Sequence, residues 1–274
     1  MASKSRSSKA KWLALGLAAL LLLTGQAFAQ DGYQSSRGRR TVAEHDWGPW
    51  LGLFRKQLLP SLMEDFGEQY LYADADRRLS PPAEDEKRVV FLGDSITDRW
   101  NLARYFPGQP YINRGIGSQV TPQLVLRFHQ DVIALKPAVV VILAGVNDVQ
   151  GFMQQERPEQ IEANFEAMAE MARAHGIRVV MSSILPVNGD GKGAENVIKE
   201  RHPDELRRIN SWLKDYCRRN GCVYADYYSA MVDHRGLMRR GLVVDGIHPN
   251  AQGYAIMAPI ARRAIAQALA VPRD

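Results

Sequence analysis

The chain has 274 residues, of which 46% are hydrophobic, and its 35 basic and 30 acidic side chains give a formal net charge of +5. Four of the basic residues lie before residue 30, where there is no acidic residue, so the rest of the chain carries only +1. This small charge offers no electrostatic basis for binding nucleic acid or an anionic membrane surface, and we expect a small or neutral substrate.

The first 29 residues have the pattern of a secretory signal peptide. Basic residues between Lys4 and Lys11 precede the apolar run Trp12–Leu23, and Ala27-Phe28-Ala29 provides a small-residue cleavage site. We therefore expect cleavage after Ala29, no stable membrane anchor afterwards, and a periplasmic or secreted protein. A transmembrane anchor is the alternative, but the apolar run is shorter than the ~20 residues that a bilayer requires. No cysteine follows the run, so lipid anchoring has no support.

Three further regions are predicted after the signal peptide. Residues 30–45 are polar and aperiodic, which predicts a flexible N-terminus. Residues 46–87 form a helical extension and linker: apolar residues recur at helical spacing from Trp50 to Phe66, and Ser80-Pro81-Pro82 is typical of a loop. Residues 88–270 form one α/β domain, since their length suits one domain better than two.

Apolar β-branched runs alternate with amphipathic segments after Lys87, which is the pattern of βαβ units around a buried parallel sheet. The predicted strands are Arg88–Leu92, Tyr111–Asn113, Ala138–Ala144, Arg178–Ser183 and Cys222–Asp226. Helices are predicted around Leu124–Leu135, with Thr121 as N-cap, and around Ile161–Ala172, Leu206–Tyr216 and Pro249–Leu269. The sequence thus predicts a three-layer, doubly wound domain with five parallel strands.

Cys217 and Cys222 are the two cysteines of the sequence. In an oxidising compartment they could form a disulfide between the end of a helix and the start of a strand. The alternative is that both are small buried apolar side chains.

Four short motifs follow predicted strands: Gly93-Asp94-Ser95-Ile96, Asn113-Arg114-Gly115-Ile116-Gly117-Ser118, Gly145-Val146-Asn147-Asp148 and Asp245-Gly246-Ile247-His248. Ligands of open parallel sheets bind at the carboxyl ends of the strands, which is where all four motifs are expected. Together they supply a nucleophile, oxyanion donors, a base and a group that orients the base.

The Asp245-x-x-His248 turn gives Ser95 a chemical role that Ser95 alone does not indicate. By itself Ser95 could be a helix N-cap. Three residues of separation let the Asp245 carboxylate meet Nδ1 of His248, which leaves Nε2 free to face a serine. The other histidines lie in or beside helices, in a loop or in the polar N-terminal region, and are expected to be structural or solvated.

These residues resemble the SGNH hydrolases, also called GDSL esterases and lipases. The resemblance covers roughly Arg88–Leu269, with all four motifs in order. It implies a flavodoxin-like α/β/α domain, the SGNH hydrolase fold. In that fold Ser95 would attack an ester, and His248 together with Asp245 would activate the serine. The ordinary α/β-hydrolase fold is disfavoured, because that fold has a Gly-x-Ser-x-Gly turn and this chain lacks the second glycine.

The resemblance also implies an oxyanion hole made from the N–H of Ser95, a backbone N–H of the second motif and the side chain of Asn147. The family has glycine at the second position, where this chain has Ser118 after Gly117. A backbone donor survives any side chain, but a Cβ there implies a narrower pocket or a strained backbone. Asn147 could alternatively be a turn-forming residue. Asp148 and Asp94 are expected to have structural tasks.

The sequence favours a serine esterase that acts on a small-molecule or glycan ester, with short acyl groups such as acetyl. The segment Val187–Arg201 is polar and should overhang the catalytic crevice as a mobile loop, although a plain surface loop would look similar. A lysophospholipase or lipase activity, acyl transfer at the same site, and an inactive carbohydrate-binding protein are the alternatives. No cofactor or metal is expected, because no other residues have ligand spacing. The oligomeric state is not indicated by the sequence.

Overall fold

The computed structural model describes residues 48–153, 156–191 and 193–271, with side chains from residue 56 onward. The predicted signal peptide and the predicted flexible segment, residues 30–45, lie outside the described residues. The chain divides into two compact units, Met1–Gln57 and Leu58–Asp274. None of the helices in the described part combines the length and the apolar character that crossing a bilayer takes.

The second unit is built on a parallel sheet of five strands within the described residues. The strands are β1 (Val89–Gly93), β2 (Tyr111–Gly115), β3 (Val139–Leu143), β4 (Arg178–Ser182) and β5 (Val223–Ala225). Their order across the sheet is β2-β1-β3-β4-β5, with every pair parallel. This is the flavodoxin-like order, in which the chain reverses its winding beside β1, and a crevice opens there at the carboxyl edge.

Helices cover the sheet, so β1 and β3 are buried at every position. The helices are α1 (Gly48–Glu64), α2 (Tyr70–Arg78), α3 (Ser95–Asp98), α4 (Leu102–Tyr105), α5 (Thr121–Asp131), α6 (Val146–Gln150), α7 (Pro158–Ala174), α8 (Val197–Arg201), α9 (Pro203–Asn220), α10 (Tyr227–Met231) and α11 (Ala251–Ala270), with a short 3-10 helix at Ile133–Leu135. The predicted three-layer, doubly wound fold is confirmed. The strands agree with the predicted ones to within two residues at each end.

Two helix starts differ from the prediction. The N-cap of α5 is Val120 and not Thr121. The side-chain oxygen of Gln123, in the first turn of the helix, accepts a 3.1 Å hydrogen bond from Val120 N and so stabilises the helix start one residue earlier. The last helix begins at Ala251 and not at Pro249, because the side chain of Asn250 caps it by accepting hydrogen bonds from the N–H groups of Gln252 and Gly253.

The segment before β1 contains one predicted helix and one that was not predicted. Helix α1 matches the predicted spacing, with Leu62 buried, but Phe66 lies beyond its end and is 41% exposed. Helix α2 has no buried residue, so it leaves no apolar pattern in the sequence. The sequence predicts a loop at Arg78–Lys87, and the observed loop is residues 79–88, because Arg78 is the last residue of α2.

The two cysteines form a disulfide, which the sequence had left open. Cys217 lies in the last turn of α9, Cys222 immediately precedes β5, and their Cα atoms are 4.4 Å apart. The bond therefore fixes a helix end to a strand start at the amino edge of the sheet, opposite the carboxyl edge.

Candidate active site

Ser95 lies at the carboxyl end of β1, as the first residue of α3. Asp94 caps this helix through a 2.9 Å hydrogen bond that its carboxylate accepts from Ile96 N. Burial raises the pKa of Asp94 to about 6. Because Ser95 is in the first turn, its own N–H takes no part in the hydrogen bonds of the helix and can serve another acceptor.

His248 lies between Ser95 and Asp245. Ser95 Oγ is 2.8 Å from His248 Nε2, and His248 Nδ1 is 2.7 Å from Asp245 Oδ2. The carboxylate can only accept, so Nδ1 carries the proton of the neutral imidazole and Nε2 accepts from the serine hydroxyl. The three side chains form the alignment in which a serine can lose its proton to a base.

Asp245 holds both the ring and the backbone of His248. Its Oδ1 accepts hydrogen bonds from His248 N at 2.9 Å and Ile247 N at 3.3 Å. Burial acts to raise the pKa of Asp245, but the hydrogen bonds from the side chain and backbone of His248 outweigh it and hold that pKa well below its ordinary value. The residue is therefore ionised wherever the protein is folded at moderate pH.

Ser118 has a strained backbone beside the Ser95 side chain. Its φ is +69°, in the left-handed region that favours glycine. A methyl group on the preceding Gly117 would lie 3.9 Å from Cβ of Ser95, so this loop runs past the serine. Of the two consequences expected for a Cβ at position 118, the strained backbone is the one observed.

Asn147 lies in the first turn of α6, which follows β3. Its side chain is nearly buried, and Nδ2 donates a 3.0 Å hydrogen bond to the backbone oxygen of Gln119. An amide nitrogen carries two hydrogens, so this bond fixes the side chain and leaves the second hydrogen for another acceptor.

Asp148 joins α6 to α5. Its Oδ1 accepts hydrogen bonds from the backbone N and the hydroxyl of Thr121, at 2.8 and 2.5 Å. Burial, reinforced by the charge of Glu156, raises the pKa of Asp148 to about 7. This is the structural task that the sequence suggested.

The segment predicted to overhang the crevice packs on the Asp245-x-x-His248 turn. Asn188 N donates to Gly246 O at 3.0 Å, and a methyl group on Gly191 would lie 2.4 Å from Val244 O. The segment also contains helix α8, which was not predicted. The loop therefore lies directly against the turn that carries the proposed base.

Sequence reasoning missed Gln119 and Arg127, which are both buried and hydrogen-bonded beside the site. A signal existed for Arg127, because it lies on the apolar face of α5, between Leu124 and Phe128, with Asp131 one turn later. The four described histidines other than His248 are exposed and lie outside this arrangement: His129, His175, His202 and His234. Among the residues that the structure describes, no three acidic, histidine or cysteine side chains gather as metal ligands would.

A flavodoxin-like sheet with a hydrogen-bonded serine, histidine and aspartate at its carboxyl edge is the arrangement of a serine hydrolase. The chain matches the GDSL-like lipase/acylhydrolase family over residues 91–256, which is more than half of its length, and it belongs to that family. It is accordingly a hydrolase of carboxylic esters.

A solved structure and two known proteins are similar to this chain. The structure of a GDSL-like lipase from Bacteroides thetaiotaomicron is 33% identical, has a TM-score of 0.69, and covers 74% of this chain and 100% of its own. An acetylxylan esterase of Geobacillus stearothermophilus is 25% identical over 203 residues, which is 63% of this chain and 90% of that enzyme. The uncharacterized lipoprotein YqeF of Bacillus subtilis is 30% identical over 125 residues, which is 38% of this chain and about half (51%) of that protein.

Proposed function

We propose that this protein is an exported serine esterase that removes short acyl groups, of the acetyl type, from a small-molecule or glycan alcohol. Ser95 is the nucleophile, His248 the general base and acid, and Asp245 the group that orients His248. The oxyanion donors are the N–H of Ser95, the N–H of Ser118 and Nδ2 of Asn147.

The reaction has two halves that use the same groups. Ser95 Oγ adds to the ester carbonyl while its proton passes to His248 Nε2, and the oxyanion donors stabilise the negative charge that forms. When the tetrahedral intermediate collapses, His248 returns the proton to the leaving alcohol and the acyl group stays on Ser95. Water then attacks the acyl-enzyme while its proton passes to His248; the bond to Ser95 Oγ breaks, His248 returns the proton to that oxygen, and the carboxylic acid leaves.

The observation that carries this proposal is the hydrogen-bonded alignment from Asp245 through His248 to Ser95. The test is hydrolysis of p-nitrophenyl acetate by the purified protein and by Ser95→Ala and His248→Ala variants. We expect turnover by the unaltered protein and a loss of at least about three orders of magnitude in each variant. Variants that hydrolyse the ester as fast as the unaltered protein would contradict the proposal.

The short-acyl preference is supported by the polar segment Val187–Arg201, which packs on the Asp245-x-x-His248 turn and has no apolar run that could cover a long alkyl chain. Gln150 lies one helical turn after Asn147 on α6, and its Oε1 accepts a 2.6 Å hydrogen bond from Arg201 Nη2. Both side chains are more than nine-tenths buried, and Arg201 is also paired with Glu200. Arg201 is the last residue of α8 and of the segment, so these polar contacts fix the end of the segment beside α6.

Carbohydrate as the alcohol is supported by the acetylxylan esterase relative and by the polar segment over the site. Initial rates on acetyl, butyryl and octanoyl p-nitrophenyl esters test the acyl preference, and acetate release from acetylated xylan tests the alcohol. We expect kcat/KM to be highest for the acetyl ester. A maximum at octanoyl would overturn the short-acyl assignment while leaving the esterase assignment intact.

Export is supported by the signal-like residues 1–29, by the disulfide, which forms in oxidising compartments, and by the lipoprotein relative. Expression of the full chain in a bacterium followed by mass spectrometry of the periplasmic fraction tests it. We expect a mature N-terminus at Gln30, and recovery of only full-length protein in the cytoplasm would contradict export.

A further inference from the structure

Gln119 is a fully buried side chain that connects three parts of the molecule. Its Oε1 accepts a 2.6 Å hydrogen bond from Arg127 Nε, and its Nε2 donates to Gly67 O at 3.1 Å and Glu68 Oε2 at 3.0 Å. Its backbone oxygen accepts the 3.0 Å hydrogen bond from Asn147 Nδ2. Gln119 thus links α5, the segment between α1 and α2, and α6.

Arg127 extends this network to the carboxyl ends of two strands. Its guanidinium is completely buried and donates to Gly93 O at 3.0 Å and Arg114 O at 2.8 Å. It also pairs with Asp131 at 2.7 Å, which balances its charge. Gly93 ends β1 two residues before Ser95, so the network reaches from the nucleophile's strand to Gln119.

The residue between this network and the site is Ser118. A non-glycine residue at φ +69° persists only where its surroundings fix it, and Gln119 is its immediate neighbour. The same Gln119 fixes the amide of Asn147 through its backbone oxygen. Two of the three proposed oxyanion donors therefore depend on where Gln119 is held.

We propose that Gln119 is a positioning residue for the oxyanion hole, and that the Gly67–Glu68 segment belongs to the catalytic unit because it holds the Gln119 side chain. This inference rests on the proposed esterase function. Oxyanion donors act in the transition state, so their displacement should lower kcat and leave KM nearly unchanged.

The principal variant is Gln119→Met, which keeps the side-chain length and the backbone but removes the bonds to Arg127, Gly67 and Glu68. We expect kcat for p-nitrophenyl acetate to fall by at least about tenfold, with KM changed by less than about twofold. A kcat equal to that of the unaltered protein would overturn the proposal.

Gln123→Met is the matched control. Gln123 is equally buried and also bonds the N-terminal segment, through Nε2 to Phe66 O at 2.7 Å, but its Oε1 accepts from Val120 N, outside the Arg127 network. We expect Gln123→Met to lower the Tm as Gln119→Met does, with kcat within about twofold of the unaltered protein. Equal losses of kcat in both variants would show a general structural effect and overturn the proposal.

A double variant tests whether Gln119 acts through Asn147. Added to Asn147→Ala, Gln119→Met should slow turnover by a smaller factor than it does alone, because part of what it positions is already missing. Factors that simply multiply would contradict the proposal.

If Gln119→Met does not fold, Glu68→Ala is the substitute, because it removes a single hydrogen bond to Gln119. A lower kcat at unchanged KM supports the role of the Gly67–Glu68 segment, and an unchanged kcat overturns it.

The two proposals fail in different ways. If the unaltered protein does not hydrolyse esters, or if Ser95→Ala retains its activity, the proposed function fails. If Ser95→Ala is inactive while Gln119→Met matches Gln123→Met in kcat, only the role of Gln119 fails.

Discussion

At the scale of single residues, Asp245 shows how one carboxylate can set the orientation of a base. One oxygen holds Nδ1 of His248 at 2.7 Å, and the other accepts the backbone N–H groups of Ile247 and His248. The ring and the turn are thus fixed by the same side chain. Arg99 lies 3.8 Å from the carboxylate but is half exposed, so its contribution is screened by water.

Asn147→Ala tests the proposed oxyanion hole. Loss of one donor costs about 2.7–4 kcal/mol of activation free energy, so we expect kcat to fall by two to three orders of magnitude with a small change in KM. Steady-state kinetics on p-nitrophenyl acetate measure this. Asn164→Ala is the control, because Asn164 donates to the Thr121 hydroxyl outside the site. An Asn147→Ala protein with near-normal kcat would exclude this residue from the oxyanion hole.

Asp148 should make stability depend on pH. Burial raises its pKa from 3.8 to about 7 in the folded protein, so above pH 4 the folded state retains a proton that the unfolded chain releases. Its contribution to stability is complete below about pH 4 and is lost as the pH rises to about 7.

Asp148→Asn removes this titration. Between pH 5 and pH 8 the stability of the variant should therefore rise relative to the unaltered protein by roughly 3 kcal/mol. Urea unfolding at both pH values measures the difference. A difference that stays constant across this range would show that Asp148 does not hold a proton in the folded state.

At the scale of elements, the strand ends position the site and the glycines let the elements meet. Gly115, the last residue of β2, lies so close to α3 that a methyl group there would be 2.1 Å from Asp98 N. Gly246 lies in the Asp245-x-x-His248 turn with φ +83°, and a methyl group there would be 2.4 Å from the backbone oxygen of Asn188. The turn and the overhanging segment therefore fit only with glycine at position 246.

Gly246→Ala should displace the turn that carries His248. Because small misplacements of reacting groups reduce rates steeply, we expect kcat/KM to fall by about a hundredfold. Gly241→Ala is the matched control: its φ is +78°, but a methyl group there meets open space. The control should lose stability with little loss of kcat/KM, and equal kinetic losses in both variants would refute the role assigned to the Gly246–Asn188 contact.

The elements that were predicted differ physically from those that were missed. The central strands β1, β3 and β4 are rich in β-branched apolar residues and are almost entirely buried, so their composition marks them. Helix α2 has no buried residue and α8 has only five residues, so neither has an apolar period. The start of α5 was displaced by one residue because the side chain of Gln123, and not that of Thr121, closes its first turn.

The residues of the candidate site also fall into those that the sequence predicts and those that it does not. The position of Ser95 and Asn147 at one edge follows from the rule that parallel strands present their carboxyl ends together. His248 lies beyond β5 and α10, and its contact with Ser95 depends on how the Asp245-x-x-His248 turn packs. The contacts of Gln119 with Gly67, Arg127 and Asn147 depend on how three separate elements pack, and no local pattern encodes that packing. The strain at Ser118 was foreseeable as an alternative, because a family glycine position is occupied by serine.

At the scale of the whole molecule, the disulfide and the site lie at opposite edges of the sheet. Cys217→Ser combined with Cys222→Ser should therefore lower the free energy of unfolding by about 2 kcal/mol, as expected for a short closed loop, and leave kcat unchanged. Urea unfolding with and without reducing agent measures the first effect. A large loss of kcat at a temperature where the variant is folded would show that the disulfide and the site are not independent.

The proposed function requires Ser95 to be a nucleophile that His248 activates. Incubation with diethyl p-nitrophenyl phosphate, followed by peptide mass mapping, tests it most directly, because an activated serine displaces p-nitrophenol and keeps the diethylphosphoryl group. We expect one adduct, on Ser95, in the unaltered protein, and a strongly slowed modification in His248→Ala. An adduct on another residue, or equal labelling of Ser95 without His248, would contradict it.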